Sequence, residues 1–378
     1  MTSSDWAASA LDSVLDRVAE GRGEVGSRFP LFADPATGRW TTTGRGAWTG
    51  GFWAGLLWLR ARRTGAAEDR AAAASCTVRL APWAGADTAT RGLILWYGTA
   101  LAPDEPAAVR IREEGAAAVL ADVDPVLGVV PWGSAFGGPR LVSRADAVPG
   151  LVPLLAGAGP GGPEAAAAQL RGTLGVCLGG HGGEQPPDGR LVVPAWVHEA
   201  DGSRRACEDP PAGWSRGRAW LLLAVADALL RPAVAAVPAG PGEPAWPLAE
   251  VAGALLAGGV PPGPDGPSAV PPANERVPDG PLDTSAAAIT AVALLKLALA
   301  AGPGAAADRY TGRASAVLRR LTRHHLSGPG QGRPPGMLLD GCYDAAGPTA
   351  VRHELIWGDF FLALGLAALT GRVCLREV

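Results

Sequence analysis

Three tryptophans fall within eleven residues in the run Trp48-Thr49-Gly50-Gly51-Phe52-Trp53-Ala54-Gly55-Leu56-Leu57-Trp58-Leu59. Indoles so close together are costly to leave in water. Trp58 reads as core. Trp48 and Trp53 read as a pocket wall that stacks on a sugar, because the flanking glycines let backbone and ring come close to a ligand. A second run, Gly213-Trp214-Ser215-Arg216-Gly217-Arg218-Ala219-Trp220, sets Arg216 and Trp220 four apart, on one face of a helix. A guanidinium beside an indole at a helix mouth suits a carboxylate or a sugar face; the alternative is an arginine packed on a core tryptophan. Asp283, ahead of Thr284-Ser285-Ala286, is placed as a helix N-cap. Asp146 also allows a capping role, with Pro149 in the first turn that follows.

Other chemistries find no support. The cysteines, Cys76, Cys177, Cys207, Cys342 and Cys374, are scattered and odd in number, which indicates neither a disulfide framework nor a zinc site. No metal and no cofactor is expected, and no glycine-rich turn has the strand–loop–helix setting of a nucleotide loop. A net charge of -3 gives no bulk attraction for nucleic acid. The Met1 end has neither a basic nor an apolar leader region, and the longest apolar stretch, Ala286 to Ala301, is interrupted by Lys296. A cytoplasmic protein with no membrane span, monomeric or homodimeric, acting on a small molecule, is the expectation.

The elements that must position these residues are helical. Hydrophobic residues make up 48% of 378, in Ala- and Leu-rich stretches of helical length with little strand-like alternation. Twelve helices are expected, at about 4–20, 49–64, 68–81, 88–101, 105–121, 145–158, 162–180, 214–231, 244–258, 283–301, 304–326 and 354–371. Gly/Pro turns such as Gly159-Pro160-Gly161-Gly162-Pro163 separate them. Twelve helices suit six hairpins closed in a ring, an all-α (α/α)6 barrel over residues 1–378 as one domain. The Pro/Gly-rich stretch at about 260–280 reads as a long loop, either a substrate-side lid or disordered.

Four stretches, in order along most of the chain, resemble the unsaturated glucuronyl hydrolases, glycoside hydrolase family 88. They are the WTxGFWxGxLWL-like run at Trp48, the W(S/A)RGQAW-like run at Trp214, Asp283-Thr284-Ser285-Ala286-Ala287-Ala288-Ile289, and Leu355-Ile356-Trp357-Gly358-Asp359-Phe360-Phe361 preceded by Gly341-Cys342-Tyr343. For Asp359 two roles stay open, positioning the last helix or lining the pocket. The family fold is the (α/α)6 barrel. Its reaction protonates C4 of a terminal unsaturated uronide, directs water to C5, and lets the resulting hemiketal open and release the next sugar. That chemistry differs from displacement by two carboxylates.

On this resemblance, Ser143-Arg144-Ala145-Asp146-Ala147-Val148-Pro149-Gly150-Leu151 aligns with IxDxMMNL and makes Asp146 the acid–base candidate. To donate a proton it should lie among apolar rings. Trp132, in Val130-Pro131-Trp132, corresponds to a pocket tryptophan. His198, in Val197-His198-Glu199-Ala200-Asp201-Gly202, is either an orienting group for water or uronate or a surface histidine. The pattern breaks where Ala89-Thr90-Arg91-Gly92-Leu93 replaces HD(L/I)GF, which leaves Thr90 as a substrate contact where the family has an acid. It breaks again where Arg205-Ala206-Cys207-Glu208 replaces T(H/Y)QG, at Arg218 in place of a glutamine, and at Pro153, which should shorten its helix. Three functions follow: a uronyl hydrolase of altered specificity, a relative acting on a less polar alkene, or a non-catalytic binding protein.

Overall fold

The computed structural model describes residues 5–179, 191–240, 243–258, 270–347 and 349–378. Among them the chain forms α1 (Asp5–Val25), α2 (Gly50–Thr64), α3 (Ala67–Val78), α4 (Tyr97–Thr99), α5 (Pro106–Ala121), α6 (Leu151–Ala156), α7 (Gly162–Cys177), α8 (Ser215–Leu229), α9 (Pro232–Ala235), α10 (Leu248–Gly258), α11 (Thr284–Ala301), α12 (Ala305–His324) and α13 (Ile356–Leu369). A π-helical turn, Gly92–Trp96, runs into α4. All twelve expected helical stretches coincide with helix, and α9 is an additional short one.

The sequence explains which helices lie inside. α11 is apolar on every face and buried from Thr284 to Ala298 apart from Thr290. By length and composition it could cross a bilayer, but 78% of it lies buried within the molecule. α12, which packs on it, buries only Ala314, Val317, Leu318 and Leu321, one stripe at helical spacing. The inner helices touch in succession: α2 meets the π turn, the π turn meets α6, α6 meets α8, α8 meets α11, α11 meets α13, and α13 returns to α2. Outside them α3 packs on α2, α5 and α7 on α6, α10 on α8 and α12 on α11.

Glycines make the tight joints. A Cβ at Gly51 would stand 2.3 Å from Leu93 O, one at Gly92 2.2 Å from Leu151 N, and one at Gly55 2.5 Å from the Phe360 ring. The glycines after Trp48 thus bring helix to helix rather than backbone to ligand. Pro153 sits in a six-residue helix, short as expected.

Two small antiparallel sheets escape the helical reading. One has the order β2 (Trp40–Thr43), β1 (Phe29–Ala33), β7 (Thr349–Leu355), β6 (Gly341–Asp344); the other is β3 (Val142–Arg144), β4 (Ala195–His198), β5 (Arg204–Ala206). The longest strand has seven residues.

Behind β7 lies a buried ionic group. Arg17 donates from Nη2 to Glu354 Oε2 at 2.9 Å, and Asp359 Oδ1 accepts from Leu338 N at 3.3 Å. Asp359 therefore anchors the start of α13 to the segment before β6, and it does not line the cavity described below. Burial, only partly offset by Arg17, pushes Glu354 up to about 7. Burial and the Glu354 charge push Asp359 well above the ordinary range. Above its ordinary value of 3.8 an unfolded Asp359 sheds its proton while the folded one keeps it, so this group favours the unfolded state increasingly as pH rises. Carboxylates held low, such as Asp34 and Asp87, act only below about 3.8. Asp359→Asn removes the ionisation, so its melting temperature relative to the parent should climb as pH is raised above about 3.8. A constant offset across that range would show that Asp359 does not titrate there.

Candidate active site

A cavity of about 760 Å³ opens among the inner helices and the two sheets, with Trp48, Thr90, Trp132, Asp146, Arg216 and Trp220 all on its wall. The aromatic wall is built from several elements. Trp48 precedes α2 in a tight turn, donates from Nε1 to Tyr343 Oη at 3.4 Å, and lies 4.8 Å from the Trp357 ring. Trp220, fully buried at the base, packs on Phe52 and Phe361. Trp214 and Tyr343 complete it.

Two expected site residues lie elsewhere. Phe52 points into the inner ring against Tyr97, Trp220 and Phe360. Trp53, one residue and about 100° further round the helix, turns away toward Gly21 of α1 and is buried core. His198 is on β4, where its Nε2 shares a 2.8 Å hydrogen bond with Ser143 Oγ. Side chains alternate along a strand, so Ser143 faces His198 while Arg144, its neighbour on β3, faces the cavity. Burial, then the nearby Arg204, lowers the His198 pKa below its ordinary value. Trp58 is core, donating from Nε1 to Thr77 Oγ1 at 2.9 Å.

Asp146 follows β3 in a single 3-10 turn, Ala145–Ala147. It does not cap α6; Gly150, in the left-handed conformation, stands at that position. The carboxyl, on a wall with Trp132, Trp214 and Trp220, also bonds a cation. Arg144 Nε donates to its Oδ1 at 2.9 Å and Nη2 to Oδ2 at 3.0 Å, and the guanidinium lies 4.2 Å from the centre of the Trp132 ring. Burial works against the Arg144 charge, but Asp146 and more distantly Asp209 hold its pKa above the ordinary value. Arg144 was not among the residues selected from the sequence. The available signal was its place in the alignment, where the family run carries isoleucine. Thr90, also on the cavity wall, is buried and shares a 2.9 Å hydrogen bond with Thr88 Oγ1.

Arg216 lines the cavity without offering it a free fork. Its Nη1 donates to Asp283 Oδ2 and to Cys342 O at 2.7 Å, and its Nη2 to Tyr343 O at 3.0 Å. Asp283 in turn accepts from Ser285 N at 3.1 Å, the N-cap of α11. Arg218 forks onto Glu275 at 2.7 and 2.6 Å and ties down part of the expected loop. Residues 260–269 of that loop lie outside the described residues. The remainder is held by main-chain bonds, Glu275 N to Gly213 O at 2.8 Å and Ser215 N to Ala273 O at 3.1 Å, and contributes Ala273, Asn274 and Val277 to the cavity wall. Among the described residues no three His, Cys, Asp or Glu side chains converge as a metal would require, and all five cysteines are free.

Removing Arg216 would leave Asp283 as a buried unpaired charge. Arg216→Leu should therefore lower unfolding free energy by about 3–5 kcal/mol, read from urea denaturation. A loss below about 1 kcal/mol would mean that the pair does not hold the wall together.

No protein-family model matches the chain, and no curated protein matches it by sequence. Its fold is shared with solved unsaturated glucuronyl hydrolases. The enzyme from Bacillus sp. GL1 superposes with a TM-score of 0.77 at 21% identity over 96% of each chain. One specific for heparin superposes with 0.78 at 19% identity, over 97% of this chain and 98% of that one. A variant from Streptococcus agalactiae, complexed with dGlcA-GalNAc6S, superposes with 0.74 at 14% identity, over 96% of this chain and 91% of that one.

Proposed function

We propose that the chain is a hydrolase-like enzyme of unsaturated glucuronyl hydrolase type, which adds water across the carbon–carbon double bond of an enol ether with Asp146 as proton donor and acceptor. The observation that carries this reading is Asp146 on the wall of a cavity lined by tryptophans, in a run that resembles the family's IxDxMMNL stretch. Asp146 would protonate one alkene carbon. Water would add to the other, the carbon bearing the ring oxygen, and return a proton to the carboxylate. The hemiketal so formed would open and release the attached sugar or alcohol. Arg144 fixes the plane of the carboxyl group through both oxygens and would act as counter-ion to the carboxylate left after donation. The indoles offer stacking faces for a sugar ring and for the developing positive charge.

We read the fold as one domain and as an (α/α)6 barrel. The unbroken succession of inner contacts from α2 round to α13 and back to α2 supports this, as does the shared fold. A soluble, cytoplasmic enzyme working as monomer or homodimer on a small carbohydrate-like molecule fits this reading.

The test begins with a screen of unsaturated glycosides for loss of the enol absorbance. On any substrate found, Asp146→Asn should keep the fold and lose roughly two to four orders of magnitude in turnover. A folded Asp146→Asn protein working near the parent rate would remove Asp146 from the chemistry.

A further inference from the structure

The charges on the cavity wall carry a statement about the substrate. Among the described residues two guanidiniums line it, and each already has a partner: Arg144 both oxygens of Asp146, and Arg216 Asp283. Asp209 and Asp344 also line it, and neither forms an ion pair among the described residues. Asp344 Oδ1 accepts only from the Ala346 and Gly347 amides of its own turn, both at 2.9 Å. A ligand carboxylate would enter beside carboxylates in excess of the cations facing them, Asp344 half-buried and Asp209 exposed. At Arg216 a ligand carboxylate would have to displace Asp283 and strand it in the core. At Arg144 it would meet a guanidinium already engaged by Asp146 through Nε and Nη2, with Nη1 left to a neutral acceptor. What the wall offers freely is aromatic surface, with Trp48, Trp132, Trp214 and Trp220 around one space.

We propose that the cavity selects a substrate that is uncharged at its reacting end, an enol ether or alkene without the carboxylate of an unsaturated uronide, because among the described residues both guanidiniums on its wall already bond a carboxyl group of the protein. This deepens the reaction proposed above and rests on it for the double bond, but not for the charge preference.

The experiment compares an unsaturated glucuronyl disaccharide with its C6 carboxamide, equal in shape and differing by one charge. Loss of the enol absorbance gives kcat/KM, and quenching of tryptophan fluorescence gives Kd. The carboxamide should be favoured by about 10-fold or more in kcat/KM. Asp209→Asn and Asp344→Asn should each narrow the ratio, as removal of an unpaired carboxylate requires and a purely structural role would not. Preference for the free acid would overturn the proposal and identify Arg144 as a seat for the substrate's carboxylate, with the hydration chemistry intact. If neither compound turns over, the hydration reading fails for these substrates and binding decides the charge question. A tighter carboxamide supports the proposal; a tighter acid, equal affinities or no binding of either compound overturns it.

Discussion

The buried pair of Arg216 and Asp283 is the constraint around which the rest of the wall is organised. Arg216 comes from the first turn of α8, Asp283 caps α11, Ser285 Oγ on α11 accepts as well, and two further acceptors are carbonyls of Cys342 and Tyr343 on β6. One guanidinium thus fixes two inner helices and one strand relative to each other. The planar fork matters here, since its separate nitrogens reach acceptors in different directions, which a single ammonium does not do. Because β6 is held, Tyr343 is held, and through the Trp48–Tyr343 contact so is the tryptophan ahead of α2. Trp357 packs 5.3 Å from the same guanidinium and donates to Ser285 Oγ at 3.0 Å, which brings in α13. Such a pair contributes less to net stability than its Coulomb attraction suggests, because both charges lose their water. What it supplies is a single arrangement of the mouth.

The helices were legible because their signal is local. Long Ala/Leu runs punctuated by Gly and Pro leave few alternatives, and the contrast between α11, apolar all round, and α12, apolar on one stripe, is written in the sequence. The strands were not legible for equally local reasons. β7 carries Ala350 and Arg352 at positive φ, 51° and 64°, and β1 shifts register between Pro30 and Phe32, so neither has the clean period of two by which a strand is recognised. The glycines of the Trp48 run were read for a ligand, yet they serve helix contact. Sequence shows that a close approach is made there and is silent on what approaches.

The site was legible in its members and much less in their pairing. Trp48, Trp132, Trp220 and Asp146 do meet at one cavity, while Trp53 points outward by the geometry of one helical step. Arg216 was chosen as a ligand for carboxylates, which is what it is, but its carboxylate belongs to the protein. Nothing in residue types alone separates an arginine awaiting an anion from one already holding one. That distinction depends on a contact across 67 residues, made only once α8 and α11 are side by side.

Arg144 and Asp146 show the same limit at the centre of the proposed chemistry. Two residues apart, they leave the same end of β3, and the pleat aims the arginine at the cavity while the following turn swings the carboxyl back onto it. Trp132 then fixes the guanidinium plane from the other side. An acid placed among apolar rings would be free to turn toward any partner. One held through both oxygens presents a fixed edge and brings its own counter-ion, so the approach of a second anion gains nothing from it. What such a wall presents to a ligand is aromatic surface beside a carboxyl group already engaged by its own cation. Thr90, buried and bonded to Thr88 Oγ1, adds a small hydroxyl and no second acid to that wall.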